Sequence, residues 1–225
     1  MPTLSLHQLR TRHVGPIDLD IAAGECVCIR GASGSGKSLL LRAIADLDPH
    51  AGAAVLDGRA CASMPGPAWR RQVALVMAEG QWWADSVGEH FPGGCTPASL
   101  DRLGLPADAL GWQVARCSTG ERQRLALLRT LMRQPAALLL DEPTGNLDED
   151  STARVEALLD EYRRAHDAAL LWVSHDPRQA ARVAQRRFVL VDGRLVAEGE
   201  VDRAAADERE AAGEGEAPRV EGAAW

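Results

Sequence analysis

The chain has 225 residues, of which 46% are hydrophobic and 25% charged, and its formal net charge is −7. This composition is typical of a folded protein of one domain, or of one domain with a small insertion. The acidic charge argues against binding nucleic acid through its phosphates. No apolar stretch approaches the roughly 20 residues that cross a bilayer, so we expect no membrane-spanning segment.

Five cysteines are scattered along the chain, and Cys26 and Cys28 stand two apart in a strand-like run, where both point to one face. No second pair completes a zinc motif, so we expect buried thiols rather than a metal site. The start of the chain lacks the basic residues and apolar stretch of a signal peptide. We therefore expect a cytoplasmic protein.

Apolar runs and turn residues predict alternating strands and helices. The predicted strands are residues 25–31, 53–56, 73–77, 137–140 and 169–173, with a final hairpin at 187–191 and 194–198 around Asp192-Gly193. The predicted helices are residues 37–47, 150–164 and a segment that begins at Ser118 or Thr119 and ends near Arg133. Strands that alternate with helices indicate a largely parallel sheet with helices on both faces.

The last part of the chain, residues 201–225, differs in composition from the rest. It is rich in Ala, Glu and Gly, and it carries seven acidic residues against three arginines. Such a segment offers little apolar surface to bury, so we expect a tail that is partly helical and then disordered. Pro, Gly and Ser interrupt residues 92–112, where we expect short helices at most.

Residues 31–38 read Gly-Ala-Ser-Gly-Ser-Gly-Lys-Ser and fit the pattern G-x-x-x-x-G-K-[ST], between a predicted strand and a predicted helix. In this pattern backbone N–H groups and the helix N-terminus surround phosphate oxygens. Lys37, the only lysine in the chain, would supply charge to the β- and γ-phosphates, and Ser38 a hydroxyl ligand for Mg²⁺. The predicted nucleotide-binding residues of this loop are Gly31, Ala32, Ser33, Gly34, Ser35, Gly36, Lys37 and Ser38.

Two acidic residues, Asp141 and Glu142, follow the apolar run at 137–140. Ligands of open α/β sheets bind at the carboxyl ends of the strands, which is where these acids fall. We predict that Asp141 holds the Mg²⁺ and its water shell. Glu142 is the predicted general base, which would polarise the water that attacks the nucleotide.

At this point the motifs resemble the ATP-binding cassette (ABC) family, the nucleotide-binding subunits of ABC transporters, over roughly residues 4–200. Residues 117–124, Cys-Ser-Thr-Gly-Glu-Arg-Gln-Arg, stand where the family has Leu-Ser-Gly-Gly-Gln/Glu followed by Arg-Gln-Arg. Residues 141–148 carry the family's acidic strand end and its D-loop, and Ser174-His175-Asp176 stands at its switch histidine. Within the family, the motifs and compact size resemble bacterial exporter cassettes.

The resemblance implies an α/β P-loop NTPase core with a mostly parallel sheet, a small N-terminal antiparallel β part and a short helical subdomain. This ABC domain would span residues 1–200, with the helical subdomain at about 79–134 and the acidic tail at 201–225. It also implies a transport-coupled ATPase with ATP and Mg²⁺ as cofactors. The implied partners are an integral membrane permease and a second cassette, with no nucleic acid, at the inner face of the cell membrane.

For the site, the resemblance implies a dimer that shares its nucleotides. Ser118 and Gly120 of one subunit, with Thr119 between them, would contact the γ-phosphate held by Lys37 of the other. His175 would contact the same phosphate and hold the water and Glu142 in place. The signature segment departs from the family pattern at Thr119, which stands at a glycine position and could also cap the helix.

The family's Q-loop is the segment after the predicted strand at 73–77, and it is named for a glutamine that meets Mg²⁺. This chain departs from the family pattern there, because Ala78 stands at the position of that glutamine. We expect Glu79 to take over this role, since a carboxylate ligates Mg²⁺ well, with Gln81 as the other candidate. The family usually stacks adenine on an aromatic side chain near its first strand, but no aromatic residue precedes Trp69. The candidates for stacking here are His13, Arg12 and Arg10.

Three tryptophans, Trp82, Trp83 and Trp112, lie in the short segment between the Q-loop and the signature. They either pack in the core or form a groove for the coupling helix of a membrane partner. Two other functions compete with the transporter subunit: a soluble ABC ATPase of DNA repair or of the ribosome, and a catalytically degenerate cassette in a heterodimer. The acidic charge argues against the first, and the presence of Lys37, Glu142 and His175 against the second.

Overall fold

The computed structural model of the chain describes residues 4–201. The strands are β1 (Leu4–Arg10), β2 (Ile17–Ile21), β3 (Cys26–Arg30), β4 (Ala51–Leu56), β5 (Arg59–Ala60), β6 (Val73–Val76), β7 (Ala137–Asp141), β8 (Ala169–Val173), β9 (Arg186–Val191) and β10 (Arg194–Ala197). The α-helices are α1 (Lys37–Ile44), α2 (Gly66–Gln72), α3 (Pro97–Asp101), α4 (Thr119–Leu131), α5 (Glu149–His166) and α6 (Pro177–Val183). The acidic tail from residue 202 onward lies outside the described residues.

A six-stranded sheet in the order β10-β9-β3-β8-β7-β6 forms the centre of the domain. Its strands are parallel except β10, which pairs antiparallel with β9. The three central strands β3, β8 and β7 are continuous apolar runs because both of their faces are covered. The largely parallel α/β sheet predicted from the sequence is therefore confirmed.

The two faces of this sheet carry different layers. Cys26 and Cys28 of β3 point to the face that packs on α4 and α5, whereas Val27 and Ile29 point to the face that packs on α1. A second, antiparallel sheet in the order β2-β1-β4-β5 joins α1 on that face. Burial raises the pKa of the Cys28 thiol to about 12, so these thiols are protonated core residues at neutral pH.

Turn chemistry explains the element boundaries. The helix predicted for residues 37–47 ends at Ile44, because Asp46 adopts a left-handed conformation (φ 55°) and closes a Schellman motif, in which Leu47 N–H donates to Arg42 O. Asp57-Gly58 and Asp192-Gly193 all have positive φ, as a two-residue β-hairpin turn requires. The predicted final hairpin is therefore confirmed.

The segment between β6 and α4 is built of short helices, as its Pro, Gly and Ser residues predict. It contains the five-residue α3 and three 3₁₀ turns, at Gly88–His90, Ala109–Gly111 and Val114–Arg116. Frequent Pro and Gly residues interrupt every longer helix there. The long helix of the expected helical subdomain is α4, and the proposed limits of the subdomain at residues 79 and 134 stay a prediction.

Candidate nucleotide site

The glycine-rich loop connects β3 to α1 at the carboxyl edge of the central sheet. Gly31, Gly34 and Gly36 have φ values of 153°, 78° and 102°, which L-residues rarely adopt. A Cβ at Gly36 would come within 2.3 Å of Val14 Cγ2, and one at Gly31 within 2.8 Å of Leu190 O. Only glycine therefore fits at these two positions, and the loop is held between the residue 11–14 turn and β9.

Lys37 begins α1 and folds back along this loop. Its Nζ donates to Gly31 O at 2.9 Å and to Ala32 O at 2.8 Å. Ser38 is exposed in the first turn of α1, and the buried Ser35 Oγ has no partner in the described part of the chain. An ammonium, hydroxyl groups and a helix N-terminus are thus collected at one loop, which is the set of donors that an oligophosphate needs.

Asp141 is the last residue of β7, and Glu142 follows it. In the central sheet β8 lies between β7 and β3, the strand that leads into the phosphate loop. Glu142 adopts a left-handed conformation (φ 48°), which is rare for glutamate. Three hydrogen bonds fix it: its N–H donates to Val173 O, and its carbonyl accepts from Gly145 N–H and from Gln123 Nε2. A strained backbone held by its surroundings is typical of a functional position.

His175 follows β8 and reaches the carboxylate of Glu142. The distance from His175 Nδ1 to Glu142 Oε2 is 3.0 Å. The contact follows from strand register, because β7 and β8 pair in parallel with Asp141 opposite Val173. The structure therefore brings together the two residues that the sequence proposed as base and switch histidine.

The signature segment begins α4 and is fixed by a capping box. Ser118 Oγ accepts from Glu121 N–H, while Glu121 Oε2 accepts from Ser118 N–H. The cap is thus Ser118, and Thr119 is an exposed first residue of the helix. A Cβ at Gly120 would lie 3.0 Å from Leu147 Cδ2, so the segment packs against the loop after Asp141-Glu142.

The ABC transporter family matches residues 14–145 of the chain. This protein belongs to the ABC transporter family. Because its curated relatives are the ATP-binding proteins of transporters, it is the ATP-binding, ATP-hydrolysing subunit that drives a separate permease. Among the helices of residues 4–201, none combines the length and the hydropathy of a membrane span.

Three curated relatives of this ABC subunit are named as import ATP-binding proteins. The aliphatic sulfonates import ATP-binding protein SsuB 3 of Nocardia farcinica is 41% identical, over 80% of this chain and 71% of its own. SsuB of Pseudomonas entomophila is 38% identical, over 79% of this chain and 67% of its own. The Fe(3+) ions import ATP-binding protein FbpC of Streptomyces avermitilis is 39% identical, over 85% of this chain and 60% of its own.

Solved structures share the fold of this ABC subunit. A bacterial Atm1-family ABC exporter with ATP bound has a TM-score of 0.77 and 23% identity, over 98% of this chain and 43% of its own. CbiO1 of Clostridium perfringens, part of the cbiONQ transporter complex, has a TM-score of 0.74 and 21% identity, over 94% of both chains. Exporter and importer names both occur among these proteins, so they do not decide the direction of transport for this ABC subunit.

The Q-loop of this ABC subunit follows β6, the neighbour of β7. Ala78 is half-buried there, and both Glu79 and Gln81 are exposed. Gln81 also accepts a hydrogen bond from Arg129 at its backbone oxygen (2.8 Å). Either side chain could turn towards a cation, so the proposed Mg²⁺ role of Glu79 stays a prediction.

The candidates for adenine stacking lie on the residue 11–14 turn or next to it. Arg12 and His13 are exposed on that turn, which touches the phosphate loop through Val14. Arg10 lies on β1 and donates to Gln8 Oε1 within the same strand. The structure therefore places the turn that carries Arg12 and His13 beside the phosphate loop, and the choice between the three residues stays open.

The tryptophans divide between core and surface. Trp82 and Trp112 are half-buried and pack on the core, whereas 71% of Trp83 is exposed. The guanidinium carbon of Arg129 lies 4.9 Å from the centre of the Trp82 ring and 4.6 Å from that of Trp83. His90 Nε2 accepts from the N–H of Trp83, and burial lowers the pKa of Arg129. The result is a fixed aromatic patch beside the Q-loop.

Two buried glutamines beside the site, Gln123 and Gln179, could not be assigned a role from the sequence. Gln123 is buried and supports the backbone of Glu142. It belongs to the Arg-Gln-Arg triplet that follows the signature, so the motif included this residue but did not indicate its role. Gln179 is also buried, and it bonds to both Ser174 and Thr144. No motif singled it out.

Proposed function

We propose that this ABC subunit hydrolyses ATP with Glu142 as general base and His175 as the switch that holds it. The observation that carries the proposal is the 3.0 Å contact between His175 Nδ1 and Glu142 Oε2 at the sheet edge that also carries the phosphate loop. A carboxylate can take the proton of an attacking water, and a neighbouring imidazole fixes its orientation. Placement of water and phosphate then supplies most of the rate gain.

The phosphates of ATP fit the loop at residues 31–38. Backbone N–H groups and the N-terminus of α1 would bind the oxygens, and Lys37 would leave the carbonyls of Gly31 and Ala32 to neutralise the β- and γ-phosphates. The unpaired hydroxyl of Ser35 supports this role, because a buried hydroxyl without a partner is costly unless a ligand satisfies it.

Mg²⁺ fits the donor set at the same edge. Ser38 and Asp141 offer hydroxyl and carboxylate oxygens, the hard ligands that Mg²⁺ prefers, and Glu79 is the proposed third ligand in place of the missing glutamine. When bound, the ion would neutralise charge on the phosphates. In residues 4–201 no three His, Cys, Asp or Glu side chains are grouped so that they could hold a metal ion.

A second cassette would complete the site. Ser118, Thr119 and Gly120 begin α4, and a hydroxyl with free backbone N–H groups at a helix N-terminus suits the γ-phosphate. We propose that these residues meet the nucleotide of a partner cassette and that ATP closes the pair. Hydrolysis would reopen it and move the permease between its two access states.

The permease would bind at the patch formed by Trp82, Trp83 and Arg129. An exposed tryptophan held by an arginine offers a rigid apolar contact of the kind that dominates protein interfaces. The patch lies directly after the Q-loop, so docking and nucleotide binding would share one segment. This contact would hold the subunit at the inner face of the membrane.

The test is the steady-state ATPase activity of the purified chain with Mg²⁺. His175→Ala should lower kcat by about 10²-fold or more, with the Kd for ATP nearly unchanged, because the ring acts after binding. His7→Ala, at an exposed position of β1, is the matched control and should behave as wild type. Removal of Mg²⁺ with EDTA should stop turnover. An active His175→Ala variant would contradict the proposed role.

A further inference from the structure

A buried cluster of polar side chains joins the segment after Glu142 to the segment around His175. Its members are Ser174, Thr144 and Gln179, which are 1%, 9% and 5% exposed. Gln179 lies in α6, and it alone contacts both of the other two. The cluster is therefore a direct connection between the residues that flank the proposed base and the proposed switch.

The contact with Glu156 fixes the orientation of the Gln179 side-chain amide. Gln179 Nε2 lies 2.9 Å from Glu156 Oε1, and a carboxylate only accepts, so the amide nitrogen must face Glu156. The same nitrogen donates to Thr144 Oγ1 at 2.8 Å. The amide oxygen then faces Ser174 Oγ, which donates to it at 2.8 Å and accepts from Asp176 N–H at 3.1 Å.

This arrangement fixes the backbone on both sides of His175. Ser174 and Asp176 are its chain neighbours. The Ser174 hydroxyl, which Gln179 holds, accepts a hydrogen bond from Asp176 N–H. The His175 side chain itself is 76% exposed, so packing does not hold the ring. The position of His175 Nδ1 therefore depends on the backbone that Ser174 and Asp176 define.

The other end of the cluster fixes the segment that carries the base. Thr144 stands two residues after Glu142, in a turn in which Gly145 N–H donates to Glu142 O. Glu156 anchors the amide from α5, and two hydrogen bonds from Arg182 hold its carboxylate. A change at Gln179 would thus remove the side-chain link that joins these two segments to each other and to α5.

We propose that Gln179 is a positioning residue that sets the distance between Glu142 and His175. Its side chain is buried, and it acts by tying Thr144 to Ser174. The inference rests on the proposed roles of Glu142 and His175. Small displacements of a reacting group can cost up to about 10²-fold in rate, so loss of this tie should appear in kcat.

The test compares three variants at Gln179 and Glu156. Gln179→Leu removes the tie and should lower kcat on the order of tenfold, with the Kd for ATP unchanged. Gln179→Glu places a carboxylate against Glu156 and should be impaired at least as much. Adding Glu156→Gln to Gln179→Glu lets the new amide donate to the new carboxylate, and it should restore much of kcat.

A matched control separates positioning from stability. Gln185→Leu removes another structural glutamine, whose Oε1 accepts from Cys26 N–H at 2.7 Å. It should lower the Tm without lowering kcat. If Gln179→Leu lowers the Tm alone, or if the double variant stays as slow as Gln179→Glu, the inference is wrong.

Different results would contradict the proposed roles of Glu142 and of Gln179. An active Glu142→Gln variant would contradict the proposed general base, whatever Gln179 does. An inactive Glu142→Gln variant beside a fully active Gln179→Leu variant would leave the base assignment standing and overturn only the positioning role.

Discussion

Lys37 is the only lysine in the chain, so its amine can be followed without interference from other side chains. Its Nζ bonds to two carbonyl oxygens of its own loop, and the proposed site transfers these bonds to ATP. We predict that saturating ATP slows the reaction of Lys37 with an amine reagent on the order of tenfold. Peptide mass spectrometry measures the rate, and the α-amino group serves as the internal control.

The labelling experiment compares how strongly ATP protects Lys37 and the α-amino group from the reagent. ATP should leave the rate at the α-amino group unchanged while Lys37 is shielded. If both amines react at the same rate with and without ATP, Lys37 does not contact the phosphates and the binding loop is misassigned.

At the residue scale, sequence indicates those site residues whose chemistry is local. The phosphate loop is eight consecutive residues, and its glycines follow from backbone geometry. The contact of Glu142 with His175 could be expected only from the family resemblance. Gln123 and Gln179 escaped because they act through hydrogen bonds to residues 19 and 35 positions away, which only the packed sheet brings near.

Tyr162, on the buried face of α5, gives a pH-dependent prediction at the scale of the element. Its hydroxyl donates to Pro135 O at 2.8 Å, and burial raises its pKa to about 12 from an ordinary value of 10.0. The unfolded chain therefore loses this proton first. The free energy of unfolding should fall as pH rises above about 10, and the contribution is lost as pH passes the folded pKa.

The measurement is simple because Tyr162 is the only tyrosine. Absorbance at about 295 nm should show ionisation of the folded protein well above the pH at which the denatured chain ionises. Tyr162→Phe should remove both this signal and the alkaline loss of stability that it causes. Identical titrations of the folded and denatured protein would show that the hydroxyl is not buried against Pro135.

Among the elements, the buried strands and long helices could be predicted because their apolar periodicity is strong. β7, β8 and α5 match their predicted segments within two residues at each end. β1 was expected only through the family resemblance, because a register shift between Leu6 and Leu9 breaks its alternation. The Pro and Gly residues before α4 predict short helices, but the local pattern does not distinguish a short α-helix from the 3₁₀ turns found there.

For the whole molecule, the Trp83 patch predicts how the subunit meets its permease. Trp83→Ala should reduce co-purification with the membrane partner in mild detergent, while the ATPase activity and Tm of the free subunit stay unchanged. Leu47, with 43% of its surface exposed, is another large apolar residue and gives the control Leu47→Ala. Equal recovery of the partner with both variants would place the permease contact elsewhere.

The architecture of the whole molecule could be predicted from strand and helix alternation, but the joining of its layers could not. The antiparallel sheet and α1 share one face of the central sheet, and this brings the residue 11–14 turn onto the phosphate loop. That arrangement depends on contacts between distant residues such as Val14 and Gly36. It leaves Arg12 and His13 exposed beside the phosphate loop, so their role in adenine stacking stays a prediction.

The measurement that tests the central claim most directly is single-turnover hydrolysis of bound ATP by Glu142→Gln, with Glu89→Gln as an exposed control. We predict that Glu142→Gln binds ATP as wild type does, forms an ATP-stabilised dimer in sedimentation and hydrolyses about 10³-fold more slowly. Glu89→Gln should match wild type. Hydrolysis by Glu142→Gln at the wild-type rate would contradict the assignment of Glu142 as the base.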